Sequence, residues 1–244
     1  MYRKTYEIQF HETDCKNRLK EAVLLNFFQD IAAVDADVMG IGYSQIQNKN
    51  IGWFLTKYHI KIFDTIKNCG KITLESQSNG IMRITFIRDF DIFDADNKKI
   101  GEATSSWAVA DLKTGKLVMP SEFFSGFPNV NRDELRSTFP KIPALKKVDF
   151  QKEFVAEYNN LDVNCHVNNA VYLTWADEVL PFEMLVSTRI SELEIQYKQQ
   201  VKYGEKVIVS ADFDEETMTL VEEIKIESSG EIACLIRQKR VKAE

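Results

Sequence analysis

Residues 160–179 read NLDVNCHVNNAVYLTWADEV, and residues 12–31 read ETDCKNRLKEAVLLNFFQDI. Set 148 positions apart, Asp14 falls on Asp162, Ala22 on Ala170, Val23 on Val171 and Leu25 on Leu173. A constant offset of this kind marks an internal repeat, and a repeat governs the whole fold assignment. Each copy opens with a short alternating strand, YEIQF near residue 6 and KEFVAEY near residue 152. A polar loop carrying the aspartate follows, and then an apolar helix.

The first helix spans about Leu19 to Met39 and carries Ala22, Val23, Leu24, Leu25, Phe27, Phe28, Ile31, Ala32 and Val34. That is too many apolar positions for one narrow stripe, so the helix is expected to be largely enclosed, ending at Gly40. The second helix starts at Asn168 or Asn169, whose amides can cap free N–H groups, and stops before Pro181. Strand-like runs come next: WFLTKYHIKIF, KITLES, ITFIRDFDIF and GEATSSWAVAD in the first half, LEIQYKQQV, KVIVSADF, TLVEEIKI and EIACLIRQK in the second. Asp94-Ala95-Asp96-Asn97 and Ser228-Ser229-Gly230 supply hairpin signals between them. One strand, one helix and four antiparallel strands, repeated, predict an α+β fold of tandem hotdogs, each an antiparallel sheet wrapped around a long central helix.

Pro120, Pro128, Pro140 and Pro143 fall in a non-periodic run that reads as a linker. The expected division is therefore a first hotdog over 1–119, a linker over 120–147 and a second hotdog over 148–244.

The 44% hydrophobic and 28% charged fractions belong to a folded globular chain. A net charge of −6 disfavours general binding to nucleic acid or an anionic membrane, which both attract a positive surface. No stretch approaches the roughly 18 apolar residues of a membrane span. MYRKTYEIQF lacks the apolar core of a signal peptide, so a chain neither exported nor membrane-spanning is expected. Cys15, Cys69, Cys165 and Cys234 form no C-x-x-C pair, which reads as reduced thiols in a cytoplasm.

The densest polar cluster is the loop from Asn159 to Asn169. In extended chain the alternation Asp162-x-Asn164-x-His166 points three polar side chains one way, beside the free N–H groups of a helix start. A base and an oxyanion-stabilising terminus formed by Asn168 and Asn169 are then adjacent. The plain alternative is a loop of turn formers and caps. A calcium loop fails, because Val167 and Leu173 stand where glycine and an acid are required. A Cys165–His166 nucleophile pair is unattractive, since sequential neighbours diverge in extended chain. His11 and His59 read as structural, and no H-x-H or H-E-x-x-H spacing suggests a metal. In the first copy Lys16 and Arg18 replace Asn164 and His166, so the second half is the chemical one and the first is expected to bind substrate, with Trp53 and Phe27 as cavity-lining aromatics.

The segment Asn160–Tyr172, with Trp175 and Glu178, resembles the L-D-x-N-x-H-V-N-N-x-x-Y signature of acyl-acyl carrier protein thioesterases. The resemblance covers essentially the whole chain. It implies cofactor-independent hydrolysis of the thioester joining a fatty acyl chain to a carrier protein, releasing free fatty acid and ending elongation. It also implies that Asp162, Asn164 and His166 form the catalytic loop, His166 serving as general base. Plant members carry an acidic residue and then a cysteine shortly after a strand tyrosine; aligned on Tyr197, those places hold Gln200 and Val201. A cysteine nucleophile there is excluded, and Gln200 cannot accept a proton. A coenzyme A thioesterase and a non-catalytic acyl-binding module are the alternatives. An acidic carrier would need Lys198, Lys202, Arg189 and the Lys146–Lys147 pair as a docking patch. Either a monomer or a homodimer satisfies the doubled architecture.

Overall fold

The computed structural model describes residues 1–47, 49–67, 70–119 and 126–243; Cys69 and Pro120 lie outside them. The strands are β1 (Tyr2–Glu7), β2 (Ile51–Ile62), β3 (Lys71–Met82), β4 (Thr85–Phe93), β5 (Lys99–Asp111), β6 (Leu117–Val118), β7 (Phe150–Val155), β8 (Thr188–Tyr197), β9 (Lys206–Asp214), β10 (Thr219–Ile226) and β11 (Ile232–Lys242). They form one sheet in the order β1-β3-β4-β5-β2-β8-β11-β10-β9-β7, with β6 added on β5. The order reads outward from its centre as the same five-strand pattern twice. All the strand pairings are antiparallel, including the β2–β8 seam, where Lys57 faces Gln196 and Lys61 faces Glu192. The fold is thus a double hotdog whose two sheets are continuous.

Helices α1 (Glu21–Val38) and α3 (Asn169–Glu178) lie in the two concavities, and the shorter α2 (Tyr43–Gln47) and α4 (Phe182–Ser187) follow them. Leu25, Phe28 and Ile31 of α1 and Leu173 and Ala176 of α3 are fully buried in one core that both halves share. Each large side chain of this kind contributes about 1.5–3 kcal/mol by leaving water. Helix α1 is largely enclosed, as expected, except for Asn26, Asp30, Ala33 and Asp37, which are spaced at three and four residues and form an open stripe. Buried Asp35 tolerates its position because it pairs with Arg88, which also donates to Ser76 Oγ at 2.6 Å. Pro181 follows the end of α3 and is the N-cap of α4, its carbonyl accepting from the Met184 and Leu185 N–H groups at 3.0 and 3.2 Å.

Residues 126–147 hold little regular structure, but they form a strap across the sheet. Gly80, with φ +121°, lets Pro128 approach the backbone more closely than any Cβ would allow, and Ile81 donates to the Pro128 carbonyl at 2.8 Å. Arg136 then pairs with Asp91 at 2.8 Å, Ser137 meets His59 at 2.6 Å, and the Lys146 N–H reaches Asp212 at 2.8 Å. The strap touches β3, β4, β2 and β9 in turn, binding the face of the sheet opposite the helices.

Candidate active site

A carboxylate builds the loop ahead of each long helix. In the second half Asp162 accepts from the Asn164 N–H at 2.8 Å and the Asn164 amide at 3.3 Å, while its own N–H donates to the His166 carbonyl at 2.8 Å. In the first half Asp14 accepts from Lys16 N–H at 2.8 Å and Arg18 N–H at 2.9 Å, and its N–H donates to the Arg18 carbonyl at 2.8 Å. The left-handed residue is Cys165 in one loop and Asn17 in the other, each at φ 60°. A carboxylate at this position is therefore the shared turn former. Burial raises Asp14, but the hydrogen bonds from Arg18 and Lys16 outweigh it and hold the carboxyl below its ordinary range.

The strand-to-loop return brings residues 199–202 against this turn. Val167 N–H donates to the Val201 carbonyl at 2.9 Å, and His166 bridges to Lys202. The His166 ring is half-buried, and its Nδ1 is buried with no hydrogen-bond partner. Asp162 spends its oxygens on the loop, and among the described residues no hydrogen bond joins its carboxylate to the imidazole. Asn164 is exposed beside it, with its amide held on Asp162 Oδ2. The positive φ at Cys165 turns the chain between Asn164 and His166.

Asn168 is the N-cap of α3, its side chain accepting from Ala170 N–H at 2.8 Å. Its own N–H donates to the Asn160 carbonyl at 2.8 Å and is committed there. The Asn169 N–H, in the first turn, has no acceptor among the described residues, so the helix offers an oxyanion this donor and its positive end. Gln29 of α1 reaches across: its amide donates to Asn168 Oδ1 at 3.4 Å and accepts from the Asn169 amide at 3.5 Å. Sequence reasoning missed Gln29, although the repeat offset pairs it with Asp177, which faces the opposite helix start. Tyr197 donates to the Asn169 carbonyl at 3.0 Å, and the Tyr172 hydroxyl accepts from Val201 N–H at 3.2 Å. The two rings meet edge to face at 5.6 Å. Burial pushes both phenols well above their ordinary range, so they stay neutral hydrogen-bonding anchors.

From Tyr197 the aromatic residues continue into the first half. Tyr58 lies within electrostatic reach of it, Phe28 sits 5.9 Å from Tyr58, and Phe90 lies 4.6 Å from Phe28. The Tyr58 hydroxyl is buried and unpartnered. The two aromatics expected to line a cavity, Phe27 and Trp53, are elsewhere. Phe27 stacks on Tyr6 at 4.4 Å near the sheet edge, and Trp53 belongs to a satellite cluster with Ile41, Ile46 and Phe86, donating to the Ile41 carbonyl at 2.9 Å. Gln200 is exposed in the loop after β8, next to Val201. Of the expected docking cations, Lys198 and Lys202 are exposed beside the His166 loop; Arg189 is committed to the Ile62 and Phe63 carbonyls, and Lys147 pairs with Asp149 at 2.9 Å.

At the position related to His166 by the repeat, Arg18 plugs the opening. It donates to the Thr188 and Leu185 carbonyls at 2.9 Å each while holding Asp14 at 2.6 Å. The space left there is about 20 Å³, room for roughly one water. The first half thus carries the loop as a clamp, whereas in the second the His166 Nδ1 is left without a hydrogen-bond partner.

These features define a double-hotdog protein with one histidine loop at a helix start. Residues 1–127 match the family profile described as Acyl-ACP thioesterase N-terminal domain and residues 144–240 the corresponding C-terminal domain. The chain belongs to the acyl-ACP thioesterase family. It is 24% identical to an oleoyl-acyl carrier protein thioesterase of Coriandrum sativum, covering 88% of this chain and 64% of that protein. It is also 24% identical to an acyl-[acyl-carrier-protein] hydrolase of Cuphea viscosissima, covering 82% and 52%. The chain thus spans roughly half to two-thirds of these relatives' lengths. Its fold is shared with the acyl-ACP thioesterase of Bacteroides thetaiotaomicron (TM-score 0.86, 22% identity, 98% and 97% of the two chains). The 12:0-ACP thioesterase of Umbellularia californica is similar too (TM-score 0.84, 18% identity, 99% and 94%). No described helix is long and apolar enough to cross a membrane.

Proposed function

We propose that this chain hydrolyses the thioester of a fatty acyl group carried on an acyl carrier protein, at the loop 162–166. The observation that carries the reading is the buried, unpartnered His166 ring nitrogen beside the start of α3. His166 takes the proton of a water as it attacks the thioester carbonyl, and the tetrahedral oxyanion meets the Asn169 N–H and the positive helix end. Collapse expels the carrier thiolate, which recovers the proton from His166. Asn164 holds the water or the thioester, and Asp162 shapes the loop. The acyl chain runs from the site past Tyr197 and Tyr58 toward Phe28 and Phe90, so the first half sets the preferred chain length. Gln200 stands at the rim and takes no proton.

Exposed Lys198 and Lys202, with Tyr158, Val163 and Tyr203 also exposed around the loop, suit an acidic partner with some apolar surface. This favours a carrier protein over coenzyme A. The test is to mix the purified chain with acyl carrier protein and coenzyme A esters of the same acyl chain and follow the thiol released. Faster release from the carrier, lost on Lys198→Glu and Lys202→Glu, is expected. Equal rates on both esters favour the coenzyme A reading, and no release from either favours a binding module.

A further inference from the structure

The β2–β8 seam carries a second polar cluster, on the face of the sheet opposite the helices. Tyr58, Ile60, Leu193 and Ile195 face the core, so strand alternation turns His59, Glu192 and Glu194 to the other side. His59 and Glu194 are directly paired across the seam, and Glu192 is one diagonal step away. His59 Nε2 lies 2.7 Å from Glu192 Oε1 and 3.9 Å from Glu194 Oε1. One ligand atom from each of the three residues falls within 4.8 Å of the others. The strap covers the cluster: Ser137 Oγ meets His59 Nδ1 at 2.6 Å and accepts from Phe139 N–H at 3.0 Å.

Two features separate this group from an ordinary ion pair. A proton on Nε2 serves Glu192 but leaves Glu194 Oε2, on a side chain 3% exposed, buried without a partner. Arg237 reaches only the other oxygen, Oε1, at 2.6 Å. A divalent ion between the imidazole and both carboxylates satisfies all three. A tetrahedral ion with bonds of about 2.0–2.1 Å holds its ligands roughly 3.3 Å apart, between the 2.7 Å to Glu192 Oε1 and the 3.9 Å to Glu194 Oε1; since Arg237 holds that Oε1, a turn of the Glu194 carboxylate is what presents Oε2 to the ion. Ser137 then accepts from Nδ1–H, which leaves the Nε2 lone pair for the ion, the usual way a ligating imidazole is oriented. Glu194 has two oxygens and can keep Arg237 on one. Glu192 is partly open to solvent, which gives the ion an approach and leaves room for water to complete its shell.

We infer that His59, Glu192 and Glu194 form a binding site for a divalent transition ion of the zinc class, which clasps the two halves of the sheet and the strap together. The donors come from two strands more than a hundred residues apart, which is why no sequence spacing announces them. The ion lies apart from the His166 loop and acts on stability.

Titration of chelator-treated protein with zinc by calorimetry tests the site, with the melting temperature followed in parallel. One equivalent should bind and raise the melting temperature, and Glu192→Gln should weaken binding about tenfold or more. Ser137→Ala, which keeps all three ligands, should weaken it less and keeps the test readable if a ligand variant folds poorly. Cobalt in place of zinc should give visible absorption bands that Glu192→Gln removes. Absence of bound zinc in the wild-type chain overturns the inference. So does binding that survives both Glu192→Gln and Glu194→Gln, or binding that thiol alkylation alone abolishes.

Discussion

At the residue scale, the repeat separates what builds the loop from what acts in it. Asp14 and Asp162 make the same backbone hydrogen bonds, whereas Arg18 and His166 part company: one is anchored to two carbonyls, and the other keeps a buried nitrogen free. Asp162→Asn, which can still accept from the loop N–H groups, should therefore keep more activity than Asp162→Ala. Equal, complete loss in both would mean that the carboxylate charge itself takes part in the reaction. Thiol alkylation should spare much of the rate. Burial holds the Cys234 thiol far above its ordinary range, and Cys165 is an exposed turn residue. Gln200→Glu sets a carboxylate at the rim and should reshape the pH profile of kcat; an unchanged profile removes position 200 from the proton path.

At the scale of elements, the start of α3 and the clamp of the first loop are the parts to test. Asn168→Ala removes the N-cap and should cost about 1 kcal/mol, with a loss of activity because the Asn169 donor shifts with the helix end. Arg18→Ala leaves two carbonyls and Asp14 without their cation and should cost about 3 kcal/mol in denaturant unfolding while sparing the chemistry. Chain-length preference belongs to the same scale. Phe28→Leu, in line with Tyr58 and Phe90, should shift preference toward longer chains, since each buried methylene contributes about 0.8 kcal/mol. Trp53→Phe, in the satellite cluster, should leave the profile alone. The reverse pattern would move the acyl path to the other end of β2.

At the scale of the whole molecule, local pattern revealed the units and concealed how they join. Asn168 as a cap, Pro181 as a stop and the 148-residue offset were legible because capping, proline chemistry and periodicity are local. The β2–β8 seam was not, because strand pairing across the repeat leaves no mark on either strand alone. Nor was the polar group inside the second half. There Glu222 accepts from Gln238 at 2.9 Å, Arg240 donates to Gln238 at 2.6 Å, and Asp177 and Glu21 of the two helices lie close by. Burial, and next the neighbouring Asp177, push Glu222 up to about 8 and Glu21 up to about 7, against the pull of Arg240. A carboxyl raised on folding binds more protons in the native state. Its contribution is thus full below the ordinary carboxylate range and is lost as pH rises through about 7 to 8. Asp14, held low, works oppositely and loses its contribution on acidification. Stability should therefore peak at mildly acidic pH and fall as pH rises from the ordinary carboxylate range to about 8. Glu222→Gln should flatten that fall up to about pH 8 in thermal melts, and an unaltered fall would place the loss elsewhere.

The central claim is that the second-half loop performs hydrolysis through His166. It is tested most directly by the rate of thiol release from an acyl carrier protein ester by wild-type chain and by His166→Ala, with melting temperatures measured on the same samples. A fall of about a hundredfold or more in a variant that melts close to wild type is the predicted result. Near-normal release from folded His166→Ala would contradict it.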